Sequence, residues 1–223
     1  MIPELGLRGF SYGSGMIDPT KQHFLLHIPK NASSFIADWS YQHHWRAELI
    51  SNHSTIREIT IVLRDPVERW ISGVAQYIKT YILSVHGPNG PVFPGETTTK
   101  HDYAMTAIDF VHHYNDAVER LLFDVIDLFD DHVWCQYRLI PETGDDIKRN
   151  FFIMTPGFDQ TIAAHLGFQI LPGLDRNRGD ENPDTAEIQR FIRERLTVRP
   201  ELIDRVKKRY QQDFALIERV IYA

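Results

Sequence analysis

The sequence predicts an α/β fold in which helices flank a central, mostly parallel sheet. Two apolar runs, 23–28 and 58–63, each end in a polar loop, and a helical pattern of apolar residues follows each loop. Strand, helix and strand in this order favour parallel pairing through right-handed crossovers. With 223 residues, of which 43% are hydrophobic and 24% are charged, the chain is long enough for one such domain with a sizeable core.

One domain is predicted over 1–223, and its elements follow from local patterns. Residues 1–20 hold four glycines and two prolines without a clear period, which predicts an irregular lead-in. Glycines, prolines and threonines in 86–100 predict an exposed loop. The first predicted strand begins at His23, and the others lie at 46–50, 59–63 and 150–154. One predicted helix follows the polar loop after the first apolar run, and others lie at 67–85 and 158–166. A pair of helices is predicted within 102–129. Two C-terminal helices are predicted within 185–223, at 185–196 and 200–220.

Net charge and residue usage exclude several classes of function. The net charge of -6 and the pI near 6.0 argue against nucleic-acid binding, so any anion-binding residues must act locally. Cys135 is the single cysteine, which excludes an internal disulfide and a multi-cysteine zinc site. His112 and His113 are adjacent and point to different helix faces, so the sequence predicts no metal site.

The sequence also bears on membrane association. The N-terminus lacks a basic stretch followed by an apolar core and a small-residue cleavage site. No apolar run approaches the ~20 residues that a membrane-spanning helix needs. We therefore expect no membrane span and a cytoplasmic location.

A first anion loop follows the strand that begins at His23. Its sequence is Pro-Lys30-Asn31-Ala32-Ser33-Ser34, and a helical pattern begins at its end. A helix N-terminus presents unpaired N–H groups and partial positive charge, which favour a phosphate or sulfate. Lys30 adds a full charge, and the two serines add hydroxyl donors and suit the capping position of the helix. The Walker motif GxxxxGKS/T is absent, because the loop lacks its glycines.

A second anion loop follows the strand at 59–63 and reads Arg64-Asp-Pro66-Val-Glu-Arg-Trp-Ile-Ser72. Arg64 at the strand end offers a planar fork to a phosphate, and Pro66 suits the first turn of a helix. Ser72 lies two turns into that helix, within reach of the same anion. Because parallel strands bind ligands at their carboxyl ends, both loops are predicted to lie at one edge of the sheet.

Together the two loops resemble the nucleotide site of sulfotransferases that use 3′-phosphoadenosine 5′-phosphosulfate (PAPS). The carbohydrate, membrane-type enzymes and their bacterial and viral relatives often write these motifs HIPKTGGTS and RDPxxRxxS. Asn31 and Ala32 stand here in place of Thr-Gly, and Ser33 replaces the second glycine. The resemblance implies a P-loop-like three-layer sandwich. It also implies metal-free, in-line transfer of a sulfuryl group to an acceptor hydroxyl on a small molecule or glycan, in a cytoplasmic enzyme of the bacterial or viral type.

Two further segments share this resemblance. Cys135-Gln136 matches a strand-like stretch that relatives often write PQ, with cysteine in place of the proline. The loop 171–178, which ends Arg-Asn-Arg, resembles one in which relatives carry an asparagine and basic residues near the nucleotide.

The resemblance also implies roles for single residues. Lys30, with the loop residues up to Ser34, would hold the 5′-phosphate and the bridging oxygen, while Arg64 and Ser72 would hold the 3′-phosphate.

A hydroxyl acceptor also needs a base, and His53 is the candidate because it follows the predicted second strand, between the anion loops. His44 and Glu48 are alternative bases. A nucleotide kinase, which needs a Walker lysine and a magnesium carboxylate, is an alternative function. A non-catalytic nucleotide-binding module is another.

Overall fold

A computed structural model describes residues 12–85, 131–169 and 183–222 of the chain. The predicted loops 86–100 and 171–178 and the predicted helices of 102–129 lie outside these ranges. The strands are β1 Ser14–Ile17, β2 His23–Leu26, β3 Arg46–Leu49, β4 Glu58–Leu63 and β5 Lys148–Ile153. The α-helices are α1 Ser33–Gln42, α2 Pro66–Val85, α3 Gln136–Leu139, α4 Phe158–Leu166, α5 Pro183–Val198, α6 Pro200–Arg209 and α7 Gln211–Tyr222.

The five strands form one mixed sheet in the order β3-β1-β2-β4-β5. β4 pairs in parallel with both β2 and β5, whereas β1 pairs antiparallel with both β2 and β3. The predicted α/β class is therefore confirmed, with a mixed sheet flanked by helices.

The predicted irregular lead-in is wrong at its end, because Ser14–Ile17 forms β1 inside the sheet. A Cβ at Gly15 would collide with the Leu25 carbonyl oxygen and the Phe24 ring on the neighbouring strand. Gly15 is thus required for close backbone approach within a strand. A glycine count in sequence does not distinguish this use from a loop.

Alternation along the strands divides the core between the two faces of the sheet. One face packs against α1 and α4. Its buried residues are Met16, Leu25, Ile36, Trp39, Trp45, Val62, Phe158, Ile162, Ala163 and Phe168. The other face packs against α3 and α7. Its buried residues are Ile17, Phe24, Leu26, Ile28, Ile56, Ile59, Ile61, Leu63 and Leu139, with Leu216, Ile217 and Val220 against them.

The described residues divide into two compact units. The sheet unit takes 12–66, 134–169 and 210–222, and the helical unit takes 67–85, 131–133 and 183–209. Within the helical unit, Arg193 of α5 donates to the Glu68 carboxylate of α2 at 2.8 Å. None of the helices in the described ranges is long and apolar enough to cross a membrane.

The predicted C-terminal helix 200–220 is two helices, which break at Tyr210. The Tyr210 carbonyl accepts the N–H groups of Asp213 and Phe214 and so opens α7. Asp213 is completely buried, and its carboxylate accepts the backbone N–H groups of Gln136 and Tyr137 at 2.8 and 2.9 Å. These are N–H groups of the first turn of α3, which have no partner inside the helix. The break therefore serves a tertiary contact, and the helical periodicity of the sequence does not show it.

Replacing Asp213 with asparagine should destabilise the protein, since an amide presents an NH₂ group to one of the two buried N–H donors. We expect Asp213→Asn to lower the free energy of unfolding by about 1–3 kcal/mol in urea denaturation. Asp204→Asn, on the exposed side of α6, is the matched control and should change it by less than ~0.5 kcal/mol. Equal effects of the two variants would contradict the capping role.

Candidate functional site

The two anion loops meet at one edge of the sheet. β2 and β4 are adjacent and parallel, so the loops that follow them leave from the same edge, called here the carboxyl edge. The guanidinium Nη1 of Arg64 donates to the Lys30 carbonyl oxygen at 3.2 Å. The structure therefore brings together Lys30 and Arg64, which the sequence placed in separate motifs.

The first anion loop has a left-handed backbone at two residues other than glycine. Lys30 has a φ of 67° and Ala32 a φ of 57°. This region costs L-residues energy, and such strain is found at ligand-binding loops. α1 begins directly afterwards at Ser33, so its N-terminal N–H groups face the end of the loop. The expected serine cap is wrong, because the N-cap position falls on Ala32.

Gln136 joins the two anion loops from the first turn of α3. Its side chain is completely buried. The amide oxygen accepts the Arg64 backbone N–H at 2.9 Å and the Asn31 side-chain amide at 2.6 Å. The amide nitrogen donates to the Arg64 carbonyl at 2.8 Å. The segment resembling PQ was expected to be strand-like, whereas Gln136 begins a short helix.

The side chain of Asn31 is directed into the protein. It is buried, and besides Gln136 its amide donates to the Val62 carbonyl of β4 at 2.7 Å. Both N–H groups of this amide are therefore used to hold the loop against β4 and α3. The amide oxygen Oδ1 of Asn31 is buried and has no hydrogen-bond partner in the described part of the chain. The contact of Asn31 with the cofactor stays a prediction.

The sequence motifs assign Gln136 no role in the site. The available signal was a glutamine in a mostly apolar segment, and such a residue is generally exposed unless it has hydrogen-bond partners. Its side-chain partners lie in the two anion loops, distant along the chain. Local pattern alone could not identify them.

Ser72 lies in the helical unit, in the second turn of α2, and is largely buried. Arg64 lies in the sheet unit. Their shared contact with one phosphate remains a prediction from the sequence motif.

The structure places His53 beside Glu48. His53 follows a 3₁₀ turn, Ile50–Asn52, after β3, and its Nε2 lies 3.8 Å from a Glu48 carboxylate oxygen. Its side chain is 13% exposed. β3 runs in the same direction as β2, but β1 lies between them, so the two strands are about 10 Å apart. His53 thus lies to the side of the first anion loop.

The alternative base His44 lies at the other edge of the sheet. It precedes the first residue of β3, Arg46, which is level with Ile17 and Phe24 near the start of β2. The loops follow the opposite ends of β2 and β4. His44 is therefore separated from Lys30 by the length of the strands. Of the two alternative bases, Glu48 is the one that lies beside His53.

Comparison with known proteins found no matching family model, no matching curated protein and no matching solved structure. The resemblance to sulfotransferases therefore rests on the loop motifs themselves.

Glycine at position 32 should stabilise the protein, because glycine adopts a positive φ without steric cost. We expect Ala32→Gly to raise the free energy of unfolding by roughly 0.5–1 kcal/mol in chemical denaturation. Ala37→Gly, inside α1 and packed on the same core, is the matched control and should lower it by about 1 kcal/mol. A loss of stability in both variants would show that the left-handed backbone at Ala32 carries no strain.

Proposed function

We propose that the chain is a sulfotransferase that moves the sulfuryl group of PAPS to a hydroxyl of a small molecule or glycan, on a P-loop-like three-layer fold. The observation that supports this most is the contact between the Arg64 guanidinium and the Lys30 carbonyl at 3.2 Å. Through the Lys30 backbone, this contact joins two cationic residues that each follow one of two adjacent parallel strands. PAPS carries anionic groups at both its 5′ and 3′ positions and so needs two neighbouring cationic sites.

In the proposed reaction the acceptor oxygen forms a bond to sulfur while the bond between sulfur and the bridging oxygen of the 5′-phosphate breaks. Negative charge builds on the leaving adenosine 3′,5′-bisphosphate. Lys30 and the N–H groups at the start of α1 would stabilise that charge, and this stabilisation is fixed in place before the reaction. Ser33 and Ser34 would add hydroxyl donors in the first turn of α1.

His53 is the proposed base that takes the proton of the acceptor hydroxyl. A Glu48 carboxylate oxygen lies 3.8 Å from its Nε2, close enough to orient the imidazole. A histidine with a nearby carboxylate suits proton transfer better than the exposed His44 at the other edge of the sheet. Glu48 then acts through His53 as a positioning residue.

Removing the Arg64 guanidinium should weaken nucleotide binding. In calorimetry without magnesium we expect Arg64→Ala to bind adenosine 3′,5′-bisphosphate about 10- to 100-fold more weakly than the parent. This corresponds to the loss of charge-assisted hydrogen bonds, which contribute about 1.5–3 kcal/mol. Arg57→Ala, an exposed arginine before β4, is the matched control and should bind like the parent.

Titrations of the bisphosphate without magnesium, and of ATP with and without magnesium, separate the proposal from its alternatives. Binding of the bisphosphate that Arg64→Ala leaves unchanged would remove this loop from the site. Binding of ATP that requires magnesium, with no binding of the bisphosphate, would favour a nucleotide kinase.

Replacing His53 should affect turnover more than binding, because a base acts on the acceptor proton and does not hold the cofactor. With an acceptor found by screening with labelled PAPS, we expect His53→Ala to lose ~10²-fold or more in transfer rate. Its affinity for adenosine 3′,5′-bisphosphate should stay near the parent value. His44→Ala is the control and should retain its rate. A slow His44→Ala beside an active His53→Ala would show that the base is His44.

A further inference from the structure

Three side chains of the kind that bind metal ions meet near the amino ends of the parallel strands, away from the anion loops. His23 begins β2 and Glu58 begins β4, and these two residues are paired in the sheet register. His165 comes from the last turn of α4. One possible ligand atom of each lies within 4.8 Å of the others.

Both imidazoles are directed at the same point on the sheet. The Thr60 hydroxyl oxygen lies 2.7 Å from His23 Nε2 and 3.0 Å from His165 Nε2. A hydroxyl carries a single proton, so it can donate to only one of these two nitrogens. The ring of His23 lies 5.3 Å from that of Trp45, and the ring of His165 lies 4.7 Å from that of Phe152, so each imidazole packs beside an aromatic ring.

Burial and neighbouring groups shift the pKa values of all three side chains. Burial, and then the neighbouring His165, lowers the pKa of His23, and burial lowers the pKa of His165. Burial acts to raise the pKa of Glu58, but hydrogen bonding from Asn150 and the charge of Lys148 outweigh it and lower that pKa. Neutral imidazole nitrogens and an ionised carboxylate are the forms in which these side chains bind metal ions.

Groups around the carboxylate hold it in place. The Asn150 amide donates to Glu58 Oε2 at 3.1 Å, and Lys148 Nζ lies 3.4 Å from Oε1. Hydrogen bonds of this kind orient the carboxylate ligands of metal sites. Asp18, before β2, adds a second negative charge that acts on His23.

We propose that His23, Glu58 and His165 bind one divalent transition-metal ion, with Zn²⁺ the best match. Two histidines and one glutamate form a donor set that zinc accepts, with a fourth position left for water. Metal–nitrogen bonds would replace the two contacts of the imidazoles with Thr60. The ion would link β2, β4 and α4, and so stabilise the sheet unit. The site is separate from the anion loops and does not depend on the proposed function.

Calorimetry with Zn²⁺ on tag-free, chelator-treated protein tests the site. The parent should bind one equivalent of Zn²⁺ per chain, and His165→Ala should bind Zn²⁺ at least about 100-fold more weakly. A loss of this size exceeds what is expected for a residue that only hydrogen-bonds a ligand of the metal. Glu58→Gln preserves the shape of the side chain and should also weaken binding. His43→Ala is the matched control, because His43 stacks on Phe168 at 4.3 Å, outside the cluster. It should bind like the parent.

Thermal unfolding gives a second measurement. Zn²⁺ should raise the midpoint for the parent and for His43→Ala, a chelator should reverse the rise, and Glu58→Gln should show little rise. Circular dichroism checks that each variant is folded before titration. The proposal is overturned if the parent binds no Zn²⁺ at one equivalent, if both ligand variants bind like the parent, or if His43→Ala loses binding equally.

Discussion

The buried side-chain amide of Gln136 is the interaction on which the arrangement of the two anion loops depends. It exchanges hydrogen bonds with both backbone groups of Arg64 and accepts one from Asn31. A buried amide that loses partners costs far more than one hydrogen bond contributes, so this network holds its members together. Asp213 of α7 in turn holds the first turn of α3. The C-terminal helix thereby supports a site built from the N-terminal half of the chain.

That support bears on the strained backbone of the first anion loop. The sulfotransferase motif that this loop resembles has glycine where this chain has Ala32, which adopts a positive φ. Hydrogen bonds from Asn31 to Val62 and Gln136 fix the residue between the two left-handed positions. The buried network therefore offsets the energetic cost of the positive φ, which glycine would avoid. It does so through Asn31, a residue that the resemblance assigned to the cofactor.

The parallel strands separate two kinds of chemistry in space. The cationic residues Lys30 and Arg64 follow the carboxyl ends of β2 and β4, whereas His23 and Glu58 begin the same strands. The net charge of the chain is -6, so the proposed anion site depends on local positive charge, to which the helix dipole of α1 adds. The opposite edge presents two imidazoles and a carboxylate, the groups of the proposed metal site.

The sequence by itself determined the elements whose signals are local. β2, β4 and β5 follow from apolar runs, α2 and α4 follow from helical periodicity, and Gly167 ends α4 with a φ of 68° as a helix-terminating glycine should. Only the tertiary structure decided the place of β1, the role of Gln136 and the meeting of His23, Glu58 and His165. Each of these depends on strand register or on close approach between distant segments, because hydrogen-bond partners and steric limits across a sheet leave no period in the sequence.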